Sequence, residues 1–307
     1  MNATAVNERR YSEERKAQAE FAKRNKARQA RLDEIYKRGK ERVLMLLTYY
    51  YGYFRDAREL EKRMTPRDVE RLNGERSDVR LTRSQFFEKR ISDEVAIVMR
   101  NLEDTIYDVM MVEYLLELRK LREDERMIMG REERAEFQKL VNYRHHGANY
   151  QERIWTKKGH YDRLHDALIL YTMNVLTGQK VKGIETQRIM DEFDKSERSA
   201  MQLARTEAQR IKNQTSIREY KRQGYTHYVY VTEVGACSIC APLGNKIIPI
   251  EEAIEGYNFP LKHPNCYCST YGVVETRGMF ALKSNVDAHI KEYGTVSEAY
   301  RAIKREK

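Results

Sequence analysis

Residues 233–270 read EVGACSICAPLGNKIIPIEEAIEGYNFPLKHPNCYCST and hold all four cysteines of the chain, Cys237, Cys240, Cys266 and Cys268, with His263 between the two pairs. Four soft ligands gathered into one stretch of a 307-residue chain point to one ion. The two-residue gap between Cys237 and Cys240 lets a tight turn aim both sulfurs at a single centre, and His263-Pro264-Asn265-Cys266-Tyr267-Cys268 brings further donors from a distant loop. Zinc suits such a set. Five donors then compete for four tetrahedral seats. Cys266 and Cys268 are two apart, so in a regular strand they face opposite ways, and one of them or His263 is left out. A shell closed without water makes the metal structural, and binding then contributes folding free energy directly. Two disulfides would use the same cysteines, but nothing at the amino terminus reads as a secretion signal that would lead to an oxidising compartment.

Working outward, the period before this stretch is two. Thr226-His227-Tyr228-Val229-Tyr230-Val231-Thr232 has the β-branched and aromatic content of a strand, and residues 246–250 and 269–275 read as its companions. That places Cys-x-x-Cys on the turn after the first strand and Cys268 at the start of the last. The expectation is a small antiparallel sheet around the zinc site, packed on the preceding helix.

Upstream the period is helical. A helix with Leu164, Leu168, Tyr171 and Val175 stops at Thr177-Gly178. A second is expected from Ile184 through Phe193, and a third from Glu197 to Gln223, closed by Gly224. Further back, Val95, Met99, Leu102, Ile106 and Val109 step by four and three, and Val112 and Leu116 are read as continuing that face of a long helix. Thr65-Pro66-Arg67-Asp68 has the form of a helix start, and Asn73-Gly74 that of its end. From Leu32, an apolar face runs through Ile35, Tyr36, Val43, Leu46, Leu47, Tyr50 and Phe54. The tyrosines at 49, 50, 51 and 53 read first as core packing, and second as rings that stack on bases or arginines. The fold class is therefore mainly α, with long helices in the amino-terminal half and a small α+β carboxy-terminal lobe.

Residues 1–31 are almost entirely polar and carry Arg9, Arg10, Arg15, Lys16, Lys23, Arg24, Lys26, Arg28 and Arg31. They read as a basic leader, either a solvated helix or an arm on double-stranded DNA. The chain as a whole carries 57 Lys and Arg against 47 Asp and Glu, a formal charge of +10, so nucleic acid or an acidic surface is the partner class to consider first. No apolar run is long enough to span a bilayer. Tyr143-Arg144-His145-His146-Gly147-Ala148-Asn149 has a faint likeness to the metal loop of HNH nucleases, but lacks the acid that precedes the catalytic histidine and reads better as a surface loop. It supplies a boundary near residue 150.

Cys-x-x-Cys, Leu243-Gly244-Asn245-Lys246, Gly256-Tyr257-Asn258-Phe259-Pro260 and His263-Pro264-Asn265-Cys266-x-Cys268 together resemble the carboxy-terminal signature of tailed-phage minor head proteins. This is the head-morphogenesis family that shares a domain with the F protein of phage Mu. The likeness continues through Ala204-Arg205-Thr206-Glu207 and more loosely to about Trp155. It implies a non-enzymatic virion protein, present in several copies at the portal vertex, that assists head assembly or DNA delivery. The implied partners are the portal protein, with scaffold or major capsid contacts and packaged DNA besides. The implied location is the host cytoplasm during assembly and then the head interior. Carried onto this chain, Cys237, Cys240, His263, Cys266 and Cys268 are a zinc lobe, with Arg205, Thr206 and Glu207 as its helical support. The implied domains are a leader at 1–31, a long-helix assembly region at 32–150, a head-morphogenesis domain at 151–285 with the zinc lobe at 225–275, and a charged helix at 286–307. The rival class is a zinc-containing nucleic-acid-binding protein or nuclease.

Overall fold

A computed structural model describes residues 3–53 and 57–273; the charged helix expected at 286–307 and the end of the last strand lie outside them. Eight helices are present among the described residues: α1 (Ala3–Tyr53), α2 (Ala57–Leu60), α3 (Pro66–Arg71), α4 (Arg83–Arg122), α5 (Arg131–Val141), α6 (Tyr150–Trp155), α7 (His160–Leu176) and α8 (Lys182–Arg222). Three short strands follow, β1 (His227–Val231), β2 (Ile247–Pro249) and β3 (Ser269–Val273), in the antiparallel order β2-β1-β3. The chain divides into two compact units, one built from Met1–Glu20 and the chain from Asn213 onward, the other from Phe21–Lys212. Among the described residues no helix is long and apolar enough to cross a membrane.

The Phe21–Lys212 unit is helical, and its core is one cluster running from Leu32 to Ile211. Thr65 caps α3 by accepting from the Asp68 amide while Asp68 answers the Thr65 amide, as its sequence announced. Asn73, in the left-handed region, ends that turn. Thr82 and Gln85 make the same reciprocal cap on α4. Gly39 is required where α1 lies against its neighbours, because a Cβ there would collide with Val98 of α4 and press on Phe193 of α8. Tyr50 is buried against Phe86 and Phe87, its ring 4.7 Å from the latter. Tyr49 and Tyr51 are exposed, so only Tyr50 of these three rings is core.

Two expectations are corrected. The face of α4 does not continue through Val112 and Leu116. Val112 is exposed, and the buried positions beyond Val109 are Met110, Glu113, Tyr114, Glu117 and Leu118. A hydrophobic count misses this, because the stripe passes through Glu113, which Arg24 of α1 clamps with two bonds of 2.7 and 2.8 Å and which Arg28 also contacts. The second correction concerns the two helices expected between Ile184 and Gln223, which are one, α8. Asp194-Lys195-Ser196 looked like a break, yet it holds no Gly or Pro. Asp194 pairs with Lys40 at 2.8 Å and the Ser196 hydroxyl meets Tyr36, so the helix has anchors at that point.

In the other unit, β1 is the central strand and all five of its residues are buried. Tyr228 pairs with Ile248 on one side and Gly272 on the other, and Val231 pairs with Ser269. The end of α8 lies on this sheet, where Asn213 Nδ2 donates to the Cys268 carbonyl and the Tyr220 hydroxyl donates to that of Thr270. Gly272 leaves room for Tyr220 and Tyr225, each 2.9 Å from where its Cβ would stand. The first turns of α1 also bond to the strands: Arg10 donates to the Gly272 carbonyl, Arg15 to that of Thr232, and Gln18 to Val231 O and Ser269 Oγ.

Candidate metal centre

Each donor pair sits on a tight turn. The Cys240 amide donates to the Cys237 carbonyl at 3.1 Å, and the Cys266 amide donates to the His263 carbonyl at 3.2 Å. Asn265, with φ of 61°, supplies the left-handed residue of the second turn. The turns bring their side chains together. His263 Nε2 is 3.2 Å from Cys237 Sγ and 3.3 Å from Cys240 Sγ, and Cys240 Sγ is 3.8 Å from Cys266 Sγ. All five predicted donors are gathered, as two overlapping groups: Cys237, Cys240 and His263 in one, and Cys240, Cys266 and Cys268 in the other. None of the four cysteines is joined in a disulfide, so the disulfide alternative is not the arrangement adopted.

Three features show that these residues fit a metal. The first is the imidazole: Nδ1 lies 2.9 Å from the Pro264 carbonyl and donates to it, which leaves the Nε2 lone pair facing the sulfurs. The second is charge. Cys268 donating to Cys266, against the opposing effect of burial, brings the Cys266 thiol down to about 5. Burial and the Cys266 charge push Cys240 up to about 12, and the bond to Cys266 together with burial pushes Cys268 further still. Cys237, at the rim, is lowered by the Cys240 and Ile239 amides. Burial pulls His263 down, but the Pro264 carbonyl and the neighbouring sulfurs raise it on balance. Without a cation the pocket thus favours one thiolate and resists more, whereas a divalent ion would admit several. The third is Tyr230, whose hydroxyl is wholly buried beside the Cys240 sulfur and has no partner at hydrogen-bonding geometry. A thiolate there would be its acceptor. The cluster could hold a metal ion, bound by soft ligands on loops that carry little other structure.

Sequence reading missed Tyr230 and Asn213 as parts of this site. Tyr230 was legible only as a strand residue, and its place follows from the β1 register. The available signal was alternation: Tyr228 and Tyr230 are on the same strand face, opposite to Val229.

Arg205, Thr206 and Glu207 belong to the Phe21–Lys212 unit, whereas the five donors belong to the other. Glu207 is sealed from solvent and accepts from Arg210 Nε at 2.8 Å, and Arg210 Nη1 donates to the Leu140 carbonyl at 3.0 Å. Arg205 Nη2 reaches Gln29 at 3.3 Å, and the Thr206 hydroxyl bonds back to Gln202 O. His145 and His146 lie side by side in a short turn, their rings 4.0 Å apart and tilted by 58°, and among the described residues they join no group of three possible metal ligands.

No curated protein and no solved structure matches the chain. One family model does, described as Phage Mu protein F like protein, over residues 167–271, about a third of the 307 residues. The matched span begins inside α7, takes in all of α8 with Arg205, Thr206 and Glu207, and contains the five metal donors. Residues 167–271 are therefore similar to the Phage Mu protein F like family.

Proposed function

We propose that this protein is a minor head protein of a tailed phage, acting in head morphogenesis at the portal vertex and assisting assembly or the delivery of DNA. The observation that carries the reading is the coincidence of the family match with the Cys and His cluster: the matched span holds every donor. The head-morphogenesis domain would extend over 151–285, after a long-helix assembly region. In this reading Cys237, Cys240, His263, Cys266 and Cys268 provide the seats for one structural zinc, and Arg205, Thr206 and Glu207 stiffen the helix behind that lobe. Bound zinc would supply no chemistry beyond joining the loops, since thiolates and one imidazole can close its shell.

The portal protein is the principal partner, with several copies of this chain per vertex and further contacts to scaffold or major capsid protein. Packaged DNA is the second partner. Lys16, Lys26 and Lys37 are exposed along α1, a charge distribution that supports a phosphate-facing surface, whereas Arg31 and Arg38 are already paired with Asp108 and Glu34. Arg10, Arg15, Arg24 and Arg28 are engaged within the protein and would not contribute.

The test is co-purification with the portal protein encoded by the same genome, with zinc measured on the product. A stable complex holding about one zinc per chain is expected. Absence of a complex, together with metal-dependent DNA cutting that His263→Ala abolishes in a folded protein, would replace this reading with the nuclease one.

A further inference from the structure

We infer that the metal is held by Cys237, Cys240, His263 and Cys266, and that Cys268 and Tyr230 stand outside the shell as hydrogen-bond donors to its thiolates. The inference rests on the metal reading of the cluster and narrows five candidates to four. Its basis is a repeat that the cysteine pattern conceals. Cys237-x-x-Cys240 and His263-x-x-Cys266 have the same spacing, and each is closed by the same bond from the amide of its last residue to the carbonyl of its first. Two matched turns face each other, each offering two donors. Read as Cys-x-Cys, the second half has no such counterpart.

The distances agree. Zinc–sulfur bonds of about 2.3 Å at tetrahedral angles put neighbouring sulfurs about 3.8 Å apart. Cys240 and Cys266, one from each turn, are 3.8 Å apart. His263, with Nδ1 committed to the Pro264 carbonyl, presents Nε2 to both sulfurs of the opposite turn. Cys266 and Cys268 both group with Cys240, and neither is grouped with Cys237 and His263, so what separates them is the turn: Cys266 closes one and Cys268 lies past it. Its backbone has already turned into β3, and Asn213 holds its carbonyl from α8.

The electrostatics give Cys268 and Tyr230 a role. Three thiolates and a neutral imidazole around a divalent ion leave one net negative charge. Cys240, Cys266 and Cys268 are all buried, so that charge needs donors rather than water. The Cys268 sulfur lies within 4.8 Å of those of Cys240 and Cys266, and the Tyr230 hydroxyl is wholly buried without a partner, so an S–H and an O–H are placed to donate to the thiolates. A fourth thiolate would double the buried charge and remove one of its two donors.

The experiment uses the full-length protein loaded with zinc, and with cobalt(II) in parallel. X-ray absorption of the wild type should report three sulfurs and one nitrogen. Cys268→Ala and Cys268→Ser should keep one metal per chain, with unchanged sulfur-to-cobalt charge-transfer absorption. Cys266→Ser should lose a third of that absorption or lose the metal. Tyr230→Phe should keep the stoichiometry while zinc affinity falls about tenfold or more, the usual effect of removing an outer partner. Four sulfurs without nitrogen in the wild type would overturn the assignment, as would loss of metal from both Cys268 variants while Cys266→Ser retains it. Unchanged affinity in Tyr230→Phe would overturn the donor role. A wild type that binds no metal would sink the metal reading itself, an outcome visible before any variant is made.

Discussion

Glu207 and Arg210 lie one helical turn apart, both sealed from water and paired with each other at 2.8 Å. Removing one partner of such a pair leaves an uncompensated buried charge, which costs about 3–5 kcal/mol, whereas replacing both with apolar residues of similar size is close to neutral. Arg210→Met should therefore destabilise the Phe21–Lys212 unit strongly in urea unfolding, and Glu207→Leu with Arg210→Met should recover most of the loss. Equal cost in the single and double variants would show that Arg210 matters through its bond to the Leu140 carbonyl instead. From sequence, Glu207 could be seen to need partners if buried. Its partner could not be found, because Glu and Arg three apart on a helix usually form an exposed pair of little consequence.

A second residue gives a pH signature. Burial, and then the carboxylate of Asp33, raise Glu197 from 4.5 to about 7, with Asp194 adding to the effect and Lys40 opposing it. Gln29 Nε2 donates to Asp33 at 2.6 Å and reaches Glu197 at 3.4 Å, so the two acids share one amide. A carboxyl raised on folding holds its proton more tightly folded than unfolded. Its contribution is complete below pH 4.5 and is lost as pH rises through about 7. Glu197→Gln cannot ionise, so the variant should gain stability relative to wild type between pH 5 and pH 8. A difference in melting temperature that is constant across that range would exclude a raised Glu197.

At the scale of the element, α1 shows why some of the fold was legible and some was not. Its buried positions are Glu14, Gln18, Phe21, Asn25, Arg28, Leu32, Tyr36, Gly39, Val43, Leu47 and Tyr50, one stripe at steps of three and four. The stripe becomes apolar only at Leu32, so a reading based on hydrophobic periodicity starts there and leaves the first turns as a leader. Those turns are anchored by hydrogen bonds instead. Arg10 and Arg15 each donate to a main-chain carbonyl at 2.7 Å, at Gly272 and Thr232. Bonds from charged donors contribute about 1.5–3 kcal/mol each, less where water reaches them. Arg10→Ala with Arg15→Ala should speed hydrogen exchange at the amides of β1 and β3, while those of α4 stay protected. The strands were legible for the opposite reason: β1 alternates and branches at Cβ, and turn residues bound it on both sides. The single helix α8 was not, because its anchors at Asp194 and Ser196 come from residues more than 150 positions away.

For the whole molecule, the two units differ in what holds them. The Phe21–Lys212 unit has one apolar cluster with side chains from α1, α4, α7 and α8. Around the donors the comparable cluster is Tyr230, Cys240, Leu261, Cys266 and Cys268, three of them the cysteines themselves. The strands are short, of five, three and five residues, and the loops that carry the donors, rich in Gly, Pro and Asn, gain nothing from propensity. A ligand present at about a thousand times its dissociation constant adds about 4 kcal/mol to whatever it binds when folded. The metal should consequently dominate stability in one unit and be nearly irrelevant in the other. Chelation at neutral pH should render residues 232–268 protease-sensitive and lower a thermal transition assigned to β1, β2 and β3. Hydrogen exchange in α4 and α7 should remain as it was, and zinc should restore the resistance. Loss of protection in all these elements together would mean that the two units unfold as one, and unchanged proteolysis would mean that the thiols hold the loops without a metal.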